Sequence, residues 1–259
     1  MRYINHHIVI IHRTLRPRKD MVINMEIKGY VNSIQTLGTL DGPGVRFIVF
    51  MQGCNLRCGC CHNPETWALN KSEQYTPAQI VQKAERYREY FGQKGGITIS
   101  GGEPLLQAKF VKEVFALCKK NGISTCLDTS GSIINEEVVS LLDYTDYVLL
   151  DIKYTSEEQY QKYVGCSFEK PLEFLKLLEQ KEITVWLRQV IIPTLNNTKH
   201  NITELKRISE KYGCVEKVEL LPFKKLCSSK YEKLGIPFKF AQIPEPDRAE
   251  MNKLNNMLG

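Results

Sequence analysis

The sequence lacks any run of about 18 apolar residues, the shortest stretch that crosses a bilayer as a helix, so we expect no membrane-spanning segment. It also lacks internal repeats, low-complexity segments and a linker rich in proline, glycine or serine, which favours a single domain over residues 25–259. The body of the chain has no dense basic run with interleaved aromatic residues, so nucleic acid is not expected as a partner.

The net charge of +6 is concentrated at the N-terminus, where residues 1–24 hold five basic residues against one acidic residue. The apolar stretch IVII within this segment is too short for a secretory signal. A transit peptide would also be basic and poor in acidic residues, and an early start codon would give the same pattern because Met25 begins a more regular sequence. We interpret residues 1–24 as a disordered extension.

The nine cysteines do not follow the pattern of a disulfide framework, which is usually dense and even-numbered in a short secreted chain. Their number is odd, and outside one cluster they are scattered along the chain. This usage favours a reducing compartment, the cytoplasm, and it draws attention to the cluster CNLRCGCCHNPETW at residues 54–67 as a metal site.

The fold class that the sequence predicts is α/β, because short runs rich in Val, Ile and Phe alternate with segments of helical spacing. Six runs read as buried parallel strands, at residues 45–53, 96–100, 123–130, 146–153, 184–193 and 215–223. An open six-stranded sheet and a partial (β/α)6 barrel both fit this order. Polar or unusual groups follow the end of each strand, and such ends converge on one mouth only in a curled sheet, which favours the partial barrel.

Three kinds of site compete for the cysteine cluster. Structural zinc needs four ligands, so Cys54, Cys58 and Cys61 would require Cys60 or His62 as the fourth, although neighbouring residues rarely both turn toward one ion. A redox dithiol would need a thioredoxin-like setting, which is absent. An iron–sulfur cluster held by Cys54, Cys58 and Cys61 keeps one iron free for a small molecule, which is typical of a reactive site. The alternative register Cys54, Cys58 and Cys60 stays open.

The spacing C-x₃-C-x₂-C just after a first strand resembles the radical S-adenosylmethionine superfamily. The stretch TLDGPGVRFIVFMQGCNLRCGCCHNPETW is similar to the N-terminal part of the activating enzymes of glycyl radical enzymes, and SGGEPLLQ, CLDTSG, LLDIK, LRQVIIP and EKVELLPF follow in that family's order. The resemblance runs from about Met25 to the end of the chain. No ferredoxin-like cysteine insert follows the first cluster, and this compactness is most similar to the members that act on pyruvate formate-lyase.

This resemblance implies a [4Fe-4S] cluster that reductively cleaves S-adenosylmethionine, with the 5′-deoxyadenosyl radical removing a hydrogen atom from a glycine Cα of a partner enzyme. The expected partner is a glycyl radical enzyme, pyruvate formate-lyase. The expected electron donor is a flavodoxin or ferredoxin, and the chain itself is expected to be a monomer. An activator of another glycyl radical enzyme and a zinc-stabilised interaction module are the alternatives.

The resemblance also implies roles for individual residues. The catalytic cluster ligands would be Cys54, Cys58 and Cys61. The contacts to S-adenosylmethionine, to a monovalent cation near Asp128 and Asp151, or to the partner would come from Cys60, Cys61, His62, Gly101, Gly102, Glu103, Asp128, Thr129, Asp151, Ile152, Lys153, Arg188 and Lys224. The turn Asp41-Gly42-Pro43-Gly44 would meet the partner's glycine-bearing segment.

Two positions depart from the family's pattern. The residue before the third cluster ligand is usually aromatic, whereas here it is Cys60, which we expect to pack or to line the adenine pocket as a small apolar thiol. After LLPF the family usually carries His and, three residues later, Gly, whereas this chain has Lys224 and Cys227. A contact from that His is therefore in doubt, because lysine differs from imidazole in reach and in charge.

Overall fold

The computed structural model describes residues 27–69 and 72–258. The extension that we predict at residues 1–24 lies outside the described residues. No helix in the described ranges combines the length and the apolar character needed to cross a bilayer.

The described strands form one sheet of eight with the spatial order β3-β1-β2-β4-β5-β6-β7-β8. Their bounds are β1 Gly29–Gly38, β2 Arg46–Met51, β3 Glu73–Tyr75, β4 Gly96–Gly101, β5 Ser124–Thr129, β6 Tyr147–Asp151, β7 Thr184–Ile191 and β8 Val215–Pro222. Strands β2 and β4 to β8 run parallel to one another, and they coincide with the six strands predicted from sequence. The prediction of an α/β fold with six parallel strands is confirmed.

The sequence did not predict β1 and β3, which lie at one edge of the sheet. β1 pairs antiparallel with both β2 and β3. Most of its second half, Ser33–Leu37, is exposed, so the segment carries Ser, Gln and Thr instead of an apolar run. β3 has only three residues, too few for a periodic pattern to emerge. The sheet is therefore mixed, with two antiparallel strands added to the predicted parallel set.

The six parallel strands curl without closing, since β3 and β8 remain as separate edges. One cavity is lined by side chains from all six strands, including Phe50 of β2 and Leu221 of β8. Neighbouring strands lie about 4.8 Å apart, so a flat sheet would separate β2 from β8 by roughly 24 Å. Because both reach one cavity of about 330 Å³, the sheet has the curvature of a partial barrel.

The described helices connect successive parallel strands or follow β8. Their bounds are α1 Pro77–Glu85, α2 Arg88–Phe91, α3 Ala108–Lys120, α4 Glu136–Leu142, α5 Glu157–Tyr163, α6 Glu169–Gln180, α7 Lys199–Lys211, α8 Ser228–Leu234 and α9 Arg248–Asn255. Thr76 caps α1 through a reciprocal bond with Gln79, and Pro77 occupies the first turn, as the sequence indicates. Apolar faces of these helices pack on the outer side of the sheet, which leaves the inner side free for polar groups.

Candidate active site

The cysteine cluster lies on the loop that follows β2, at the carboxyl end of the first parallel strand. Backbone bonds fix this loop from two directions: Gly59 N donates to Tyr163 O at 2.8 Å, and Gly53 N donates to Thr66 O at 2.7 Å. Gly59 has no room for a side chain, because a Cβ there would lie 2.4 Å from the ring of Phe240. Phe240 therefore covers the loop directly over the backbone between two of its cysteines.

All four thiols of the loop, Cys54, Cys58, Cys60 and Cys61, are unpaired and line one cavity. Burial raises the pKa of Cys54 and of Cys60 to about 11, and it also raises the pKa of Cys58 and Cys61. In the described part of the chain, no three cysteine, histidine or carboxylate side chains converge closely enough to enclose a metal ion. The thiols thus share a desolvated cavity without forming a closed tetrahedron, and a cation would be needed to hold them as thiolates.

The backbone at the end of β4 lies against the cysteine loop. Glu103 N donates to Gly53 O at 2.8 Å, and a Cβ on Gly102 would lie 2.1 Å from that same oxygen. Gly101 has a φ of +108° and would meet the backbone of Met51. Both glycines line the cavity, so this contact explains why neither position carries a side chain.

Glu103 is 1% exposed, and its carboxylate joins the end of β4 to the end of β5. One oxygen accepts from Leu105 N at 3.1 Å and from Thr129 Oγ1 at 2.5 Å. The other accepts from the backbone N of Ser130 at 3.1 Å and from its hydroxyl at 2.5 Å. Both carboxylate oxygens are satisfied within the protein, so the described contacts of Glu103 position the cavity wall.

Two carboxylates and two cations alternate along the next three strand ends. Lys153 Nζ lies 2.7 Å from Asp151 Oδ2, and Arg188 Nη1 lies 3.4 Å from Asp128 Oδ2, which also accepts from Ser100 Oγ at 2.7 Å. Burial raises the pKa of Asp128 to about 6, an effect that Arg188 opposes and Asp151 increases. Burial acts to raise the pKa of Asp151 as well, but Lys153 and Arg188 outweigh it and lower that pKa.

Arg188 retains hydrogen-bonding capacity toward the cavity. Its Nε and Nη1 are buried, and neither has a hydrogen-bond partner among the described residues. The 3.4 Å separation from Asp128 is an ion pair that lacks the alignment of a hydrogen bond. Buried guanidinium donors without acceptors are costly, so this group could bind an anionic ligand.

Arg46, which is fully buried, holds the turn from which Asp41 reaches the cavity. Its guanidinium donates to Thr98 Oγ1 at 3.0 Å, to Lys94 O at 3.1 Å and to Pro43 O at 3.3 Å. Thr98 Oγ1 in turn donates to Asp41 O at 2.6 Å. This chain of bonds fixes the turn that holds Asp41, whose residue lines the cavity and whose pKa is raised by burial.

Most of the residues that the sequence singled out come together in this cavity. Its lining includes Cys54, Cys58, Cys60, Cys61, His62, Gly101, Gly102, Glu103, Asp128, Thr129, Asp151, Lys153 and Arg188. The sequence reasoning missed Ser100 and Ser130, which the lining also includes. Each neighbours a residue that was identified, at the end of β4 and just after β5, and that position is the signal that would have found it.

Two predicted residues do not line the cavity. Ile152 is fully buried, and its backbone N donates to Arg188 O at 2.9 Å, so its described role is to pair β6 with β7. Lys224 directs its ammonium away, to Glu245 Oε2 at 2.9 Å. Its backbone oxygen instead lies 2.9 Å from His62 Nε2, which ties the segment after β8 to the cysteine loop.

The chain is similar to known proteins in sequence and in fold. Residues 48–205 match the Radical SAM superfamily. The chain is 42% identical over 234 residues to the pyruvate formate-lyase-activating enzyme of Clostridium pasteurianum, covering 90% of this chain and 98% of that protein. It is 38% identical to the pyruvate formate-lyase 1-activating enzyme of Escherichia coli K12, covering 90% and 96%. In fold it is similar to Streptococcus suis SuiB bound to precursor peptide SuiA, with a TM-score of 0.63, 16% identity and coverage of 81% and 44%.

Proposed function

The chain belongs to the radical SAM superfamily, and we propose that it activates pyruvate formate-lyase by generating a glycyl radical in that enzyme. The observation that carries this proposal is one cavity in which a loop with four thiols, a strand end with two glycines and an arginine whose Nε and Nη1 have no described partner meet. The extent of the match to the activating enzymes, over nine-tenths of the chain, supports the choice of partner.

The donor set of the loop fits the [4Fe-4S] cluster that this family implies. Thiolates are the ligands of iron–sulfur clusters, and desolvated thiols with raised pKa become thiolates only when a cation compensates their charge. We propose Cys54, Cys58 and Cys61 as the three ligands, which leaves one iron without a protein ligand. Cys60 lines the same cavity and is proposed as a neighbour of the cluster, not a ligand.

When bound, the cluster would supply one electron to the sulfonium of S-adenosylmethionine, which would split into methionine and a 5′-deoxyadenosyl radical able to remove a hydrogen atom from a glycine Cα of the partner. The chain's own groups orient that substrate. Arg188 offers buried donors to a carboxylate, and Lys153 adds a second positive charge on the adjacent strand. The bare backbone at Gly101 and Gly102 leaves room for the substrate to approach the strand end closely.

The protein also excludes water from the back of the cluster loop. A buried apolar cluster supports the loop, formed by Leu56, Tyr154, Tyr160, Val164, Ile192, Phe223 and Phe240, and Cys54, Cys58 and Cys60 pack against it. A dry wall strengthens electrostatic interactions in the cavity and protects a reactive radical from solvent.

The turn Asp41-Gly42-Pro43-Gly44 is our proposed contact for the partner's glycine-bearing segment. Asp41 reaches the cavity from this turn, which Arg46 and Thr98 hold in place. A flavodoxin or ferredoxin as electron donor, a monomeric state and a cytoplasmic location belong to the same proposal.

A monovalent cation beside Asp128 and Asp151 is a further part of the proposal. Each carboxylate already faces a cationic side chain, so repulsion between them is partly relieved without a metal ion. The raised pKa of Asp128 nevertheless indicates that its negative charge is incompletely compensated. A cation at this position would supply the missing positive charge.

The test is anaerobic incubation of the reconstituted enzyme with S-adenosylmethionine, a reductant and pyruvate formate-lyase, followed by electron paramagnetic resonance. We expect the doublet of a glycyl radical on pyruvate formate-lyase and none on other glycyl radical enzymes supplied in parallel. A doublet that forms only on another glycyl radical enzyme would show that pyruvate formate-lyase is not the partner. A colourless protein that binds about one zinc would overturn the proposal.

A further inference from the structure

Tyr154 carries a buried hydroxyl for which the described residues provide no partner. The residue is 1% exposed, and its hydroxyl has no hydrogen-bond partner in the described part of the chain. Leaving such a group unpaired is costly, and most buried polar groups have a partner. An unpaired buried hydroxyl needs a physical explanation. Tyr154 follows the Asp151–Lys153 pair directly in the chain, so we looked for its partner at the active site.

Neighbouring rings hold Tyr154 in place. Its ring centroid lies 6.3 Å from that of Tyr160, in an edge-to-face arrangement, and 5.6 Å from that of Tyr163. The hydroxyl of Tyr160 is already used, since it accepts from Lys153 N at 3.0 Å. The orientation of Tyr154 is therefore fixed by packing, and its hydroxyl lacks the partner that its neighbour has.

Side chains of the cysteine loop, those of Cys54, Cys58 and Cys60, pack against the same apolar cluster that contains Tyr154. Gly59 N, next to Cys58, donates to Tyr163 O at 2.8 Å, and the ring of Tyr163 packs against that of Tyr154. A phenol keeps its proton at neutral pH, so the Tyr154 hydroxyl is a donor beside this part of the loop.

We propose that the Tyr154 hydroxyl donates a hydrogen bond to a sulfur of the bound iron–sulfur cluster, on the side of Cys58, and thereby raises the reduction potential of the cluster. The inference rests on the proposed function, because it needs the cluster in place. A hydrogen bond to sulfur stabilises the more negative, reduced state, and donors around a cluster are one of the means by which a protein sets its potential.

The test uses the reconstituted holoenzyme and its Tyr154→Phe variant, which removes one oxygen and retains the ring. We expect the variant to bind the same amount of iron and its cluster to have a more negative midpoint potential in a redox titration. Electron nuclear double resonance of the reduced cluster should also lose an exchangeable proton coupling in the variant. Tyr163→Phe is the matched control, since it removes the hydroxyl of an adjacent, half-buried ring in the same cluster.

The inference is overturned if Tyr154→Phe and the wild-type enzyme share one potential, or if the exchangeable proton persists in the variant, as it would if a buried water were the donor. It is also overturned if Tyr163→Phe shifts the potential equally. These outcomes leave the proposed function intact, whereas a wild-type protein that binds no iron would contradict the function itself.

Discussion

The hydroxyl of Tyr231 donates a hydrogen bond to the backbone oxygen of Cys61 at 3.0 Å, across 170 positions of the chain. On the same helix, α8, Lys230 Nζ donates to His62 O and to Asn63 Oδ1, each at 2.9 Å, and pairs with Glu65 Oε1 at 2.5 Å. The segment after β8 therefore holds the trailing end of the cysteine loop, just beyond the third proposed ligand.

Replacing Lys230 by Met should loosen this end of the loop, because three acceptors lose one donor. The ion pair of Lys230 with Glu65 is partly exposed, so we expect the loop to lose about 1 kcal/mol of stabilisation. This loss corresponds to about fivefold faster release of iron to a chelator. The chelation rate of the reconstituted protein is the measurement. Lys233→Met, at an exposed position of the same helix, should leave that rate unchanged, and equal rates for both variants and the wild type would remove the proposed role of Lys230.

Gly102→Ala should destabilise the junction between the cysteine loop and β4, because its Cβ would lie 2.1 Å from the backbone oxygen of Gly53 and neither backbone can yield cheaply. Forced overpacking costs about 1–3 kcal/mol, or a fall in melting temperature of about 2–4 °C per kcal/mol. The melting temperature of the variant relative to the wild type, taken from thermal unfolding, is the measurement.

The control for that substitution is Gly235→Ala, where the backbone is left-handed, with φ +66° and ψ +27°, and no described atom lies within 4 Å of the added Cβ. That variant should show only the conformational cost of a left-handed residue, about 1 kcal/mol, and should retain iron. If Gly102→Ala and Gly235→Ala lowered stability and iron content equally, the close approach of the two backbones would not be the reason for Gly102.

Stability should depend on pH through Asp128. Burial raises the pKa of this carboxyl from 3.8 to about 6 in the folded chain, so the folded state binds a proton more tightly than the unfolded state. The resulting stabilisation is fully present below about pH 4 and is lost as the pH rises through about 6. Asp128→Asn lacks this titration, so the melting temperature of the wild type relative to the variant should be higher at pH 5 than at pH 7.5. A constant or opposite difference would show that the charge of Asp128 is already compensated.

Cys61→Ala should abolish iron binding, whereas Cys60→Ala should retain it, because only Cys61 completes the C-x₃-C-x₂-C spacing. Both side chains line the cavity, so position alone does not separate them. Iron per polypeptide after anaerobic reconstitution decides between them. Loss of iron from the Cys60 variant with retention in the Cys61 variant would assign the ligands to Cys54, Cys58 and Cys60.

The parallel strands were predictable from sequence because each contains a short run of apolar residues, and all of them except β8 bury half or more of their residues. Strands β1 and β3 were not, since Ser33–Leu37 of β1 is mostly exposed and β3 has only three residues. Local patterns report burial, and a strand at the rim of a sheet has little of it. The antiparallel edge therefore becomes visible only in three dimensions.

The candidate site was predictable to the extent that chemistry follows chain order. The cysteine spacing and the polar groups at strand ends identify the cavity, but they do not indicate which side chains are already satisfied. Both oxygens of Glu103 are bonded within the protein, Lys224 pairs with Glu245, and the Tyr154 hydroxyl has no partner among the described residues. These differences depend on side-chain directions that arise from packing between distant elements, and sequence periodicity carries no record of them.

The central claim is that three thiolates leave one iron of the cluster open for S-adenosylmethionine. Electron nuclear double resonance of the reduced enzyme, mixed with S-adenosylmethionine labelled with ¹⁷O in its carboxylate and ¹⁵N in its amino group, tests it most directly. The account predicts hyperfine couplings from both labels, because the amino acid end would bind the open iron. An iron-loaded enzyme with neither coupling and with a fourth protein ligand on that iron would contradict it.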